Sequence, residues 1–448
     1  MNQAVLNITK TYSCDVLVCG GGVSGFAAAV AAARSGADVI LVESGGCLGG
    51  TATKGLVGPF MTCYDAKGET QIIRGLFAEL AERLVREGGA IPPAACRGGD
   101  SYSGYRPTGH IGVMPFNAEV LKRVSEQMCV EAGVKLLYHT IVLGCETDGA
   151  RITRVYAADP NRVIAIDANV FVDTTGTAAL AACAGAETVR GSEDGPMQMA
   201  STFFVLDGVN KAVLDAHMAE HTEMRLRYFM DEIARAQQEG RYSCGTPKLR
   251  MFEASDGTWI VNMAQTDEPL NELDGEAVTQ AEIAQRAQIA QLVTFLRETI
   301  PGLENIRLVA TGSDIGIRES RRLVGKTVFT IDDIRACRQF EDRIAVCASS
   351  VDIHGKNGVS YAAHDLDNYT IPLSCLISNN IRNLLTAGKT LSADRYAFAA
   401  VRVMPPCIAM GEAAGITAAI AAKRGLDAAD VPCGDVQAEL RARGAYLN

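Results

Sequence analysis

The stretch Cys14–Ser44 reads CDVLVCGGGVSGFAAAVAAARSGADVILVES, and its spacing decides the fold. Asp15–Cys19 is a short apolar run of strand length. Gly20, Gly22 and Gly25 follow as G-x-G-x-x-G, and Phe26–Arg34 reads as a helix that stops at Gly36. Asp38–Val42 is a second apolar run, with Glu43 at its end. The order strand, glycine turn, helix, strand predicts a βαβ unit.

Each part of this unit has a physical task. Gly20 allows the tight turn, Gly22 lets backbone approach a pyrophosphate, and Gly25 permits close helix–strand packing. The first helical turn, Val23 and Ser24 with Gly25, presents amides and the positive end of the helix dipole to phosphate. Glu43 is placed to accept hydrogen bonds from a ribose diol. The unit therefore predicts a bound dinucleotide.

The continuation selects between dinucleotides. Ser44–Gly55, SGGCLGGTATKG, is a second glycine-rich loop directly after the ribose acid, and brings Ser44, Gly49, Gly50 and Thr51 alongside the ligand. Backbone that follows an extended cofactor toward its ring needs such glycines. No second strand-flanked G-x-G-x-x-G lies downstream, so a dedicated nicotinamide domain is not expected. FAD is the expected cofactor.

With these residues in view, the chain resembles the FAD-dependent oxidoreductases, whose fold is similar to that of glutathione-reductase-type flavoproteins with two dinucleotide-binding domains. Besides the N-terminal motif, three stretches carry the resemblance: Asn169–Glu187 (NVFVDTTGTAALAACAGAE), Gly312–Ile334 with its GIRESRR core, and Ile381–Ala421, which holds VMPPCIAMGEAAG. The resemblance implies FAD contacts from Thr175 and Gly176, from Gly388, and from Pro406, Cys407, Ile408 and Ala409. Pro405 and Pro406 suit a helix start. The amides of Cys407, Ile408 and Ala409 are then expected to face the pyrimidine edge of the flavin. Lys389 stands where the family pattern leads one to expect Arg.

The predicted fold class is α/β: a discontinuous Rossmann-like FAD-binding domain, residues 12–190 and 341–448, with an inserted α+β substrate domain at 191–340. Asp148-Gly149 joins two alternating stretches as a hairpin signal. Amphipathic helical stretches such as TQAEIAQRAQIAQLVTFLRETIPG mark the insertion. The acidic stretch Asp267–Ala277 reads as a solvated loop.

A net charge of −10 argues against nucleic acid or an anionic membrane as partner. The fourteen cysteines form no CxxC pair and the six histidines do not cluster with them, so no metal site is expected. The cysteines read as small buried hydrophobes of a reducing compartment. With no leader pattern and no continuous apolar span in view, a cytoplasmic homo-oligomer is expected.

Chemistry requires titratable or cationic groups that converge on the flavin ring. His354 follows a strand-like VDI and suits an acid or base near neutral pH, or it is a satisfied loop histidine. Arg402 is the preferred anchor if the substrate carries a carboxylate. Arg318 leads an arginine group that either clamps an anion or forms an ion-pair hub with Glu319; if that segment is helical, Arg318 and Arg322 share a face. Tyr361, His364 and His110 are weaker candidates. Cys407 reads as a packing residue rather than a redox thiol. The expected function is hydride transfer between flavin N5 and a small organic substrate, with an external electron acceptor or donor. The alternatives are a flavin monooxygenase or a flavin-containing electron-transfer subunit.

Overall fold

The computed structural model describes residues 7–95, 112–191, 197–221, 229–242, 246–355, 358–362 and 367–448. The first half of the chain runs β1 (Ile8–Cys19), α1 (Val23–Arg34), β2 (Val39–Val42), α2 (Leu76–Arg86), α3 (Ala118–Glu131), β3 (Lys135–Leu137), β4 (Ile141–Asp148), β5 (Arg151–Asp159), β6 (Arg162–Asp173), α4 (Ala179–Cys183) and β7 (Thr188–Arg190). Next come β8 (Phe204–Asp207), α5 (Lys211–Glu220), α6 (Met230–Gln238), β9 (Met251–Glu253), β10 (Trp259–Val261), α7 (Gly275–Thr299) and β11 (Arg307–Thr311). The remainder is β12 (Arg321–Leu323), α8 (Ile331–Arg335), β13 (Arg343–Cys347), β14 (Val351–Gly355), β15 (Gly358–Ala362), β16 (Tyr369–Pro372), β17 (Leu384–Thr386), α9 (Arg395–Val401), α10 (Met404–Arg424) and α11 (Cys433–Ala442).

The predicted βαβ unit is present: β1 and β2 are parallel, with Val16 opposite Val39 and Cys19 opposite Val42. β3 extends this sheet beside β2. The Asp148-Gly149 turn joins β4 to β5 antiparallel, Gly149 taking φ 58°. β6 then returns beside β1 in parallel and carries β17 on its far end. The strand order β3-β2-β1-β6, with an antiparallel meander and β17 on β6, is a Rossmann-like sheet.

Alternation along the strands gives the sheet two apolar faces. Val16, Val18, Leu41 and Val172 pack on α1, α3 and α10, whereas Leu17, Cys19, Ile40 and Phe171 pack under the meander and α4. α10 lies against α1 at backbone distance. A Cβ on Gly411 would stand 2.2 Å from the Ser24 carbonyl oxygen, and one on Gly415 2.1 Å from that of Ala28. The small residues of α10 are thus required by contact with α1. α10 is long and apolar enough to cross a membrane by length and composition, yet 94% of its apolar window is buried inside the protein.

A second core is built between Phe204 and Ile306, where α5, α6 and α7 cover one face of the antiparallel sheet β11-β8-β10-β9. Leu323, Phe329, Ile334 and Phe340 contribute instead to the cores of the main body. The other face of the second sheet presents Phe203, Phe252 and Ile260 toward Leu56 and Val57 of the main body. The acidic stretch before α7 is less solvated than its composition suggests. Asp274 caps α7, and buried Glu272 pairs with Arg190 and accepts from Ser320 Oγ.

Candidate active site

The glycine turn after β1 is shaped by its neighbours. Gly20 takes φ 104°, and a Cβ there would lie 2.4 Å from the Thr174 carbonyl oxygen; one on Gly25 would lie 1.8 Å from the Gly20 oxygen. Gly22 differs, because a Cβ on it would meet nothing within 4 Å. It is the N-cap of α1 and supplies no side-chain cap, while the first helical bond runs from Phe26 N to Gly22 O. The amides of Val23, Ser24 and Gly25 therefore form an uncapped helix start beside open space, which fits a pyrophosphate.

The second glycine loop closes onto the first. Gly49 N donates to Gly21 O at 2.8 Å, and a Cβ on Gly50 would lie 3.0 Å from Gly22 Cα. Glu43 receives the Gly21 and Gly45 amides at 2.7 Å each, Ser44 Oγ at 3.2 Å and Lys54 Nζ at 3.0 Å. Thr51 follows on the loop and lines a cavity together with Lys389, Arg402 and Met404. Near Thr174, Thr175 N and Oγ1 donate to Asp173, whose pKa burial raises. A Cβ on Gly176 would lie 2.9 Å from Lys389 Cε, and one on Gly388 2.4 Å from Ser24 Oγ.

α10 begins earlier than its sequence suggests. Met404 is its first residue, Pro405 and Pro406 complete the first turn, and Cys407 N donates to Val403 O at 3.2 Å. The Cys407 amide is therefore committed within the helix, and Ile408 and Ala409 lie deeper still, which corrects the expectation that these three amides are free. The two prolines carry no N–H, so Met404 holds the one backbone donor of that turn, and Met404 lines the cavity. Cys407 is buried and its thiol is pushed up to about 12 by burial, an inert packing residue.

His354, Arg402 and Arg318 converge on one cavity of about 250 Å³ between the main body and the second sheet. Asp352 and His354 are two apart on β14 and so share a face. His354 Nε2 stands 3.1 Å from Asp352 Oδ2, and Arg402 Nη2 lies 3.2 Å from Asp352 Oδ1. Gln198 Oε1 accepts from His354 N at 3.1 Å and from Arg402 Nη2 at 3.4 Å. Arg318 Nη1 donates to Met199 O at 2.5 Å, and Lys389 Nζ donates to Ile317 O at 2.8 Å.

Electrostatics fix the protonation of this group. Burial and the neighbouring Arg318 lower His354 to about 3, against the pull of Asp352. Burial opposes ionisation of Asp352, but Arg402, the His354 hydrogen bond and Arg318 outweigh it and hold it at about 2. His354 is thus neutral and Asp352 anionic, so Nε2–H donates to the carboxylate and Nδ1 keeps its lone pair. Burial, reinforced by Arg402, brings Arg318 down to about 9. Burial likewise brings Lys389 to about 8.

The GIRESRR segment is extended, with β12 paired to β7, rather than helical, so Arg318 and Arg322 do not share a helix face. Arg318 goes to the cavity. Glu319 is 2% exposed, lies 3.8 Å from Arg322 and 3.6 Å from Arg395, and accepts from Gln198 N. Arg321 Nε donates to Thr177 O and Arg322 Nε to Ala393 O. The segment is therefore both things the sequence left open, an ion-pair hub around Glu319 and one cavity arginine. Tyr361 sits on β15 opposite Asp352 in register. His110 and His364 lie outside the described residues.

Sequence reasoning missed a wall of the cavity. Lys248, Arg250 and Phe252 all line it, while Leu249 and Met251 belong to the second core. The alternation in KLRMF, which runs into β9, was the available signal, with its basic residues on the cavity side. Asp352 and Lys389 were also missed as site residues. Among the described residues no group of three or more His, Cys, Asp or Glu side chains is disposed to hold a metal ion.

Fold and cradle together define a flavoprotein-type dinucleotide-binding protein. The chain belongs to the FAD dependent oxidoreductase family, whose model matches residues 15–440; it is an FAD-dependent oxidoreductase. No curated protein sequence is a significant match. Similar solved structures include a geranylgeranyl bacteriochlorophyll reductase-like protein from Thermoplasma acidophilum, 12% identical, TM-score 0.47, over 96% of this chain and 83% of that one. They also include p-nitrophenol 4-monooxygenase from Pseudomonas putida, 11% identical, TM-score 0.48, over 97% and 85%. The myxobacterial chondrochloren halogenase is 16% identical, TM-score 0.44, over 96% and 79%. Likenesses at this level carry no information on substrate or reaction.

Proposed function

We propose that this protein oxidises or reduces a small organic substrate by hydride transfer at the flavin, with the substrate in the cavity lined by His354, Arg318 and Arg402. The observation that carries this reading is the neutral His354 held by anionic Asp352 beside Arg402 and the start of α10. FAD, when bound, supplies the two-electron chemistry. Val23, Ser24 and Gly25 would hold its pyrophosphate and Glu43 its ribose, and the turn at Met404 would face its ring.

The chain's own residues manage the proton and the geometry. His354 Nδ1, with its lone pair, takes or returns the substrate proton. Asp352 fixes the tautomer and orients the ring, and Gln198 ties His354 to Arg402. Residues 191–340 contribute the substrate-side wall. Electrons enter or leave through an external donor or acceptor.

The test is anaerobic mixing of the purified, FAD-loaded protein with alcohols, amines and carboxylic acids, read as bleaching of flavin absorbance. Bleaching by one class supports the reading. Oxygen insertion into a substrate, dependent on an added reductant, assigns the protein to the monooxygenases instead.

A further inference from the structure

The cavity is cationic in a chain that is acidic overall. Among the described residues lining it, five carry positive charge (Lys248, Arg250, Arg318, Lys389 and Arg402) and one, Asp352, is a carboxylate. Asp352 is committed to Arg402 and His354. Two of the five cations, Lys248 and Arg250, come from the segment that leads into β9, not from the motifs that hold the dinucleotide. The same alternation that directs Lys248 and Arg250 to the cavity directs Phe252 there, and Phe203 joins it. Arg402 Nε is a buried donor with no acceptor among the described residues. Arg318 and Arg402 line the same cavity and repel one another, and an anion placed between them offsets that repulsion.

We propose that the cavity takes a substrate bearing a carboxylate on an apolar body. Lys248, Arg250 and Arg318 anchor the carboxylate, and Phe203 and Phe252 pack on the apolar part. This rests on the hydride-transfer reading only for the word substrate, since the anion site follows from the residues alone. Arginine forks match a planar carboxylate bidentately, and Phe203 and Phe252 in the lining give no reason to prefer a small inorganic anion. FAD's own phosphates are not the anion meant, because the uncapped start of α1 accommodates them.

The experiment is calorimetric titration of the FAD-loaded protein with benzoate, the isosteric neutral benzamide and inorganic phosphate, with flavin absorbance followed alongside. Benzoate is expected to bind at least about tenfold more tightly than benzamide, the worth of one charge-assisted hydrogen bond. Arg250→Met and, separately, Lys248→Met are expected to weaken benzoate about tenfold while leaving benzamide and the flavin content unchanged. Equal affinity for benzoate and benzamide, no binding of either, or phosphate binding as tightly as benzoate overturns the proposal. So does retention of the benzoate preference in the Lys248→Met/Arg250→Met double variant with native circular dichroism. A benzoate preference in a protein whose flavin no substrate bleaches refutes the hydride-transfer reading and leaves the anion site standing.

Discussion

Lys54 Nζ lies 3.0 Å from Glu43 Oε1 and equally 3.0 Å from Asp314 Oδ2, so the acid expected to hold ribose is tied to the segment that leads into GIRESRR. Ser313 N adds a bond to Lys54 O at 2.7 Å. Glu43 has two oxygens and four protein donors, and the donors that ribose hydroxyls can replace without opening either glycine loop are the side chains of Lys54 and Ser44. Glu43→Gln is therefore expected to weaken FAD about ten- to a hundredfold, because it removes a charged acceptor. Lys54→Met is expected to leave FAD affinity within about threefold or to tighten it. Fluorescence titration of the apoprotein with FAD measures both, and equal losses in the two variants would show that Lys54 stays in place when FAD binds.

The closeness of α1 and α10 gives a packing prediction. A Cβ on Gly415 reaches 2.1 Å from the Ala28 oxygen, a backbone atom that cannot turn aside. Gly415→Ala must part the helices and is expected to cost about 1–3 kcal/mol, with Gly415→Val costing more. Because Ser24 and Gly388 meet at the same seam, flavin retention should fall with stability. Denaturant melts and the flavin-to-protein absorbance ratio test this.

Glu319 supplies the carboxylate between Arg322 and Arg395, all three nearly excluded from water. Glu319→Ala leaves this counter-charge missing inside the protein. The expected loss is about 3–5 kcal/mol, the cost of breaking a buried ion pair from one side. A variant that melts within about 1 kcal/mol of the parent would show that the carbonyls of Ala393 and Gly191 satisfy Arg322 without the carboxylate.

The contrast between these sites explains what the sequence made legible. The βαβ unit was readable because its constraints are largely local: Gly25 packs on the Gly20 oxygen of the same turn, Gly20 takes φ 104°, and Gly22 caps α1 beside open space. The roles of Gly411 and Gly415 were half readable, since small residues announce close packing but not the partner. The start of α10 was misplaced because proline is tolerated throughout a helix's first turn, and the sequence does not say which residue of that turn Pro406 is. The cation cluster was readable only in part: Arg318 and Arg402 were expected at the ring, whereas Lys248, Arg250 and Lys389 were not. Arg250, Arg318, Lys389 and Arg402 meet only when the second sheet folds over the first.

His354 should report on that cluster through pH. Its lowered value of about 3, set by burial and then Arg318, keeps it neutral across the working range, so kcat/KM should lack an acid limb from this group above about pH 4. Arg318→Met removes a like charge and should raise the His354 pKa toward its ordinary 6.5. An acid limb should then appear between those values. A profile identical to the parent's would show that His354 is not the proton acceptor.

Glu412 offers a pH test independent of the active site. It sits inside α10, accepts the Leu76 amide at 2.9 Å through Oε2, and has Oε1 buried without a partner among the described residues. Burial raises it from 4.5 to about 7. The folded value is above the unfolded one, so its favourable contribution is complete below about pH 4.5 and is lost as pH rises to about 7. The shift corresponds to a difference on the order of 3 kcal/mol. Glu412→Gln keeps an acceptor for Leu76 and cannot ionise. It should match the parent near pH 4.5 and exceed it in stability at pH 8, with the gap opening across that window. Parallel melts of the two proteins against pH would contradict the assignment, because a pH-dependent cost from this carboxyl cannot survive its conversion to an amide.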